Sequence, residues 1–215
     1  MGSILASTIV DDTKKITQDL KNVFWSQDEG LGWLNAGQRE ICIHRPDAYT
    51  ILAPHTCVNN ATQQIPNDGL RFLEATYNLD SGYVIQPIDR SDLDQVQRDW
   101  QNPSKSTSEV EHYIYDERFP KFFKLYPVPV AGLQIEIGYA ASPPDVEIGQ
   151  PISVDDIYAN TLMDYMLARM YQKNTTLTNA ANKSNQHYQL FYQSLGVKFE
   201  ADRAMSPNSQ SNRED

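Results

Sequence analysis

Residues 26–46, SQDEGLGWLNAGQREICIHRP, carry their own start and stop signals for a helix. Ser26 is a hydroxyl cap with Glu29 three residues on, the form of a capping box. Leu31, Leu34, Gln38 and Ile41 or Cys42 then recur at helical spacing until Arg45-Pro46, where proline ends the helix. Gly30, Gly32 and Gly37 are poor helix formers, so packing must hold this segment together. A small residue on its face would also let another backbone come close.

Upstream, a first helix from about residue 8 sets Ile9, Ile16 and Leu20 near one face, and a break follows at Lys21–Trp25. Downstream, the chain changes character over about 48–140. Tyr49–Leu52 and His55–Val58 are short extended candidates, and Leu70–Tyr77 with Tyr83–Ile88 form an expected strand pair around a turn at Asn78–Gly82. Asp89–Trp100 reads as a short helix with Leu93, Val96 and Trp100 on one side. Three more strands are expected at His112–Tyr115, Phe122–Tyr126 and Leu133–Tyr139, the last alternating apolar and polar residues.

Ser153 to Asp156 offers a second capping arrangement before a helix at Ile157–Tyr171, whose face carries Tyr158, Leu162, Tyr165, Met166 and Met170. A last helix at about 178–194 turns Ala180 or Ala181, Tyr188, Leu190, Phe191 and Leu195 inward, with Gly196 as its C-cap. Residues 199–215 are too polar to fold alone and are expected as an extended tail ordered only by a partner. The resulting expectation is an α+β fold in a single domain, 1–198. The N- and C-terminal helices (about 8–45 and 155–195) form one bundle, and a β-rich insertion (about 48–140) projects from it.

Eighteen Lys and Arg against twenty-eight Asp and Glu leave a net charge of −10, which excludes a broad basic face for gripping nucleic acid. Two cysteines cannot build a disulfide framework, so folding in a reducing compartment is expected. The N-terminus lacks the pattern of a secretory leader, and no apolar run is long enough to span a bilayer, so a soluble protein without a membrane partner is expected. Apolar residues at 40% make a lean core that completes its burial against copies of itself or a partner.

Cys42-x-His44 and His55-x-Cys57 form a tempting metal quartet, but i and i+2 point apart at a helix end. Cys42 fits better as a small apolar member of the helix face, with the histidines at the surface. The acid pairs Asp11-Asp12, Asp116-Glu117 and Asp155-Asp156 have ordinary readings as solvated or capping groups. No nucleophile–base constellation, phosphate loop or metal motif is present, so no catalytic, cofactor or metal residues are expected and the chain is not read as an enzyme. Tyr113, Tyr115, Phe119, Phe122, Phe123 and Tyr126 crowd one segment with few basic neighbours, which favours a buried sheet face or a subunit interface over base stacking.

Trp33-Leu34-Asn35-Ala36-Gly37-Gln38-Arg39-Glu40, closing at Arg45-Pro46-Asp47-Ala48, resembles the signature of tailed-bacteriophage head-to-tail adaptor proteins, also called head-completion or connector proteins. The likeness continues at Asp89-Arg90 and Trp100. It is strongest at Tyr115-Asp116-Glu117-Arg118-Phe119-Pro120 and Tyr126-Pro127, and runs on through Gly138-Tyr139-Ala140-Ala141-Ser142-Pro143-Pro144 to about Gly196. Trp33, Asn35, Pro46, Asp116, Arg118, Tyr126, Pro127 and Tyr139 are its signature positions. The resemblance implies a ring of twelve copies at the virion neck, made in the bacterial cytoplasm and bound to the portal protein and to a tail or nozzle protein. DNA would pass through its channel without specific binding, which the acidic balance suits. Phe199, Arg203, Met205 and Arg213 are expected to touch the portal or a neighbouring copy. Readings of another class are an isolated receptor- or glycan-binding module and a cell-wall hydrolase.

Overall fold

The computed structural model describes residues 2–173 and 179–205, with side chains described as far as 196. The fold is α+β and divides into two compact units, residues 1–49 with 143–215, and residues 50–142.

The first unit holds α1 (Ala6–Thr17), α2 (Gln27–His44), α4 (Ala159–Lys173) and α5 (Ala180–Met205). The capping box at α2 is complete. Ser26 Oγ accepts from the Glu29 N–H at 3.2 Å, and the Glu29 carboxylate accepts from the Ser26 N–H at 3.1 Å. The helix ends at His44, and Pro46 opens a short 3-10 turn, Pro46–Ala48. α1 has no side-chain cap. Its first free donors, Ala6 N–H and Ser7 N–H, go instead to the Gln150 and Ile148 carbonyls at 2.9 and 3.0 Å. Asp156 fixes the residues just before it, accepting from Ser3 N–H at 2.7 Å and Ile4 N–H at 3.0 Å.

α1 buries Ala6, Ile9, Val10, Thr13 and Lys14, whereas Ile16 and Leu20 are 52% and 70% exposed. Leu20 leaves the expected stripe because Gln18 adopts a left-handed conformation and turns the chain before it, and Ile16 is exposed on the last turn of the helix. α4 packs against α1, α2 and α5. It buries Thr161, Leu162, Tyr165, Met166, Leu167, Ala168 and Met170, which wraps apolar surface around most of the helix. It begins later than expected, because Asp155 caps Ile157 N–H at 3.0 Å and starts a 3-10 turn, Asp156–Tyr158, that leads in.

α5 buries Ala180, Ser184, Phe191 and Leu195 but leaves Leu190 exposed. It does not stop at Gly196: the helix continues to Met205, so residues 199–205 are helical rather than extended. One glycine costs a helix only about 1 kcal/mol, and the good helix formers that follow it, Lys198, Glu200, Ala201, Arg203 and Ala204, add little further cost. Residues 206–215 of the expected tail lie outside the described residues.

Two α2 glycines differ in what surrounds them. A Cβ at Gly37 would meet Tyr165 Cδ1 at 3.0 Å and Leu162 Cδ2 at 3.1 Å, whereas a Cβ at Gly32 would meet nothing. Gly37 therefore permits the close approach of α2 to α4. Gly32→Ala is expected to stabilise the protein by about 0.5–1 kcal/mol and Gly37→Leu to destabilise it by about 1–3 kcal/mol, read from urea midpoints.

The second unit contains two sheets. β1 (Thr50–Thr56), β7 (Gln134–Ala141) and β3 (Gly69–Asn78) form an antiparallel sheet with β7 at its centre. β2 (Thr62–Gln64), β6 (Phe122–Tyr126), β5 (His112–Tyr115) and β4 (Gln86–Pro87) form the other, in that order. β5 and β6 keep their expected bounds. The two extended segments expected over 49–58 are one strand that runs through Pro54, which an edge strand tolerates.

The strand pair expected between 70–77 and 83–88 shrinks to one bridge, Tyr77–Val84, and Gln86–Pro87 joins β5 in parallel instead. α3 (Arg90–Val96) buries Leu93 but exposes Val96, because the helix ends there and Trp100 reaches the core from the following loop. Leu93 and Trp100 pack with Ala61, Ile114 and Val128 on one face of the four-stranded sheet. The other face meets the three-stranded sheet, where the Phe72 ring stacks on Phe123 at 4.2 Å and 10°.

Candidate functional site

The signature positions do not converge on one pocket. On α2, Trp33 is half-buried and Asn35 is buried. Asn35 donates to the Val146 carbonyl at 3.1 Å and accepts from the Val146 N–H at 3.0 Å. Pro46 opens the turn after that helix. In the second unit, Tyr139 lies buried in β7, and the Tyr126-Pro127 peptide is cis, with Tyr126 donating to Gln97 Oε1 at 2.6 Å. Asp116 and Arg118 occupy the β5–β6 connection as a two-point pair. The Arg118 guanidinium donates to both carboxylate oxygens, and those bonds hold the Asp116 carboxyl down at about 2. Phe199, Arg203 and Met205 fall on the last turns of α5, with side chains outside the described residues, and Arg213 lies outside them altogether.

The tempting metal quartet is split between the two units. Cys42 and Cys57 are both buried, and burial pushes each thiol up to about 12. His44 is exposed, as expected, whereas His55 is half-buried. It packs edge-on against Phe123 at 5.5 Å, and burial lowers its pKa below the ordinary value.

Two apolar surfaces stand out instead. The first is the α1–α2 connection, where Leu20, Val23 and Phe24 are 70%, 73% and 61% exposed. The loop is well braced: the buried Asp19 carboxylate accepts from the N–H groups of Val23, Phe24 and Trp25 at 2.7, 2.9 and 3.0 Å. Gln18 and Asn22 have positive φ, and Trp25 is buried as an anchor. Sequence reasoning passed over this loop as a break. Its signal was Val23 and Phe24, large apolar residues outside any periodic stretch, close behind Leu20 at the end of the first helix's stripe.

Burial opposes ionisation of Asp19, but the three amides and the nearby Lys14 outweigh it and lower its pKa from 3.8. A carboxyl lowered on folding stabilises the loop above its unfolded value and loses that contribution as pH falls through the folded one. Hydrogen exchange at residues 23–25 is therefore expected to stay protected at pH 6 and to lose protection, after correction for intrinsic rates, below about pH 4.

The second surface is a cavity of about 330 Å³ in the second unit, lined by Ile114, Phe119, Phe122 and Phe123 together with Thr62, Arg90, Asp116 and Lys124. Phe119 and Phe122 are 59% and 42% exposed. The crowded aromatics thus divide: Phe123 serves the core, and Phe119 and Phe122 face outward.

A family model, SU10 adaptor protein, matches residues 5–212. The chain belongs to the SU10 adaptor protein family. Membership makes this adaptor a structural phage protein rather than a member of an enzyme family, a virion component whose partners are head and tail components. No curated protein matches the chain. No described helix of the adaptor is long and apolar enough to cross a membrane.

Proposed function

We propose that this adaptor closes as a ring of twelve copies beneath the portal at the virion neck. There it continues the DNA channel and seats the tail or nozzle protein. The observation that carries this reading is the family match across residues 5–212. Two properties support it. The chain presents two unlike apolar surfaces, which is what a closed ring of head-to-tail contacts needs on every copy. Its net charge of −10 disfavours retention of phosphates by a conduit through which DNA must slide.

The C-terminal residues Phe199, Arg203, Met205 and Arg213 supply the contact to the portal or the neighbouring copy. Light scattering of the full chain, alone and mixed with the portal of its phage, tests the reading. A portal species that gains the mass of twelve copies supports it, and separate elution of the two proteins overturns it. Truncation after Lys198 is expected to weaken the complex, and unchanged binding would remove the C-terminal contact.

A further inference from the structure

We propose that His55 is a proton-sensitive joint between the two sheets of the second unit. Its protonation in mild acid opens the link where the chain passes from one sheet to the other. This inference is independent of the ring reading above.

β1 belongs to the three-stranded sheet and β2 to the four-stranded one, so residues 57–61 carry the chain across. Gln63, 1% exposed, ties that crossing down. Its Oε1 accepts from the Val58 N–H at 2.9 Å, and its Nε2 donates to the Val58 and Asn60 carbonyls at 2.9 and 2.5 Å. These backbone bonds leave the amide one orientation, with its oxygen 3.4 Å from His55 Nε2. The same imidazole packs edge-on against Phe123. One ring near the end of β1 thus touches both β2 and β6 of the other sheet.

Among the described residues no carboxylate bonds to this ring. From β2 it meets the Gln63 amide, from β6 the Phe123 ring, and on β7 its cross-strand partner is Ile135. The charged residues of those strands turn to the opposite faces. Lys124 lies over Trp100 and donates to Gln101, and Glu136 accepts from Thr76 and Tyr77. Cys57, two residues on, is a neutral thiol pushed up to about 12. Burial is the larger influence on His55 and lowers its pKa, with the Gln63 oxygen opposing it.

A histidine whose pKa is lowered by packing binds more protons once released. The packed state is therefore at full strength above the ordinary value of about 6.5 and weakens as pH falls below it, by at most about tenfold in the opening equilibrium per pH unit for one proton. A charged ring gains by leaving for water, and the crossing loses its brace from the β1 side.

The test uses the full chain. The His55 imidazole, followed by NMR, is expected to titrate below about 6.5, and exchange of the Val58 amide, corrected for intrinsic rates, to quicken several-fold between pH 7 and 5. His55→Gln keeps a donor for Gln63 and cannot take up a proton, so its exchange is expected to stay level over the same range. His44→Gln, at an exposed site, is expected to leave the increase in place. A His55 titration at or above about 6.5 overturns the joint, and so does an increase that survives in His55→Gln. Should the glutamine variant fail to fold, the parent chain decides alone: level exchange down to pH 5 overturns the joint as surely as an unshifted titration.

Discussion

Phe72→Ala is expected to lower stability by about 3–5 kcal/mol, a fall in midpoint temperature on the order of 10 °C. Phe72 is fully buried in β3. Its ring stacks on Phe123 and meets Tyr113 and Tyr115 at 5.5 Å each. Removing it empties the space between the two sheets, and strands pinned by their own hydrogen bonds cannot close over a ring-sized gap. The comparison is Phe122→Ala, one position from Phe123 but on the outward face at 42% exposure, which should cost less than about 1 kcal/mol. Urea unfolding followed by near-UV circular dichroism separates the two. Equal losses would show that the sheets do not pack through Phe72.

The second large effect is expected at Gln38, which is 1% exposed. Its Oε1 accepts from the N–H groups of Ser153 and Val154 at 2.6 and 3.3 Å, and its Nε2 donates to Asn35 Oδ1 at 3.2 Å. Asn35 in turn holds both backbone groups of Val146, so two adjoining amides on α2 tie down the segment returning from the β-rich unit. Gln38→Leu leaves the Ser153 and Val154 donors buried without an acceptor and should cost about 2–4 kcal/mol.

Gln38→Glu tests the same network by charge. One carboxylate oxygen would face Asn35 Oδ1, acceptor against acceptor, so the ionised form is disfavoured on folding and the folded pKa is raised. The variant should therefore be close to the parent below about pH 4 and lose stability as pH rises above that, the reverse of an ordinary paired carboxylate. A flat difference between variant and parent from pH 3 to 7 would contradict the network.

Signals confined to a few neighbouring residues carried over into the structure. Ser26 with Glu29, Pro46 after Arg45, and the bounds of β5 and β6 are decided within a turn or a strand, and the α4 face follows from spacing alone. What escaped depends on partners distant in the chain. Asn35 and Gln38 look like ordinary polar residues in a helix, yet their partners lie more than a hundred positions away. In the sequence Asn78 reads as the start of a turn. It is buried, donating to the Val110 carbonyl at 2.7 Å and accepting from its N–H at 2.9 Å, a role that no local pattern announces.

The exposed α1–α2 loop escapes for the opposite reason. Periodicity locates residues that face a core: Val23 and Phe24 lie outside any stripe, and Leu20, counted in the stripe of the first helix, faces outward beyond the turn at Gln18. Asn35, Asp116, Arg118 and Tyr126 came from family likeness, and their geometry is that of braces and clamps. The exposed apolar side chains are others: Leu20, Val23 and Phe24 in one unit, Phe119 and Phe122 in the other.

The three-stranded sheet ends in two flanks that resist extension. On β1, Pro54 removes an amide donor, and on β3 the pairing with β7 slips at three points, which breaks the regular row of outward groups. Neighbouring copies therefore cannot zip these flanks into a continuous ribbon. Contacts between them are left to side-chain shape, which guards against growth into a fibre.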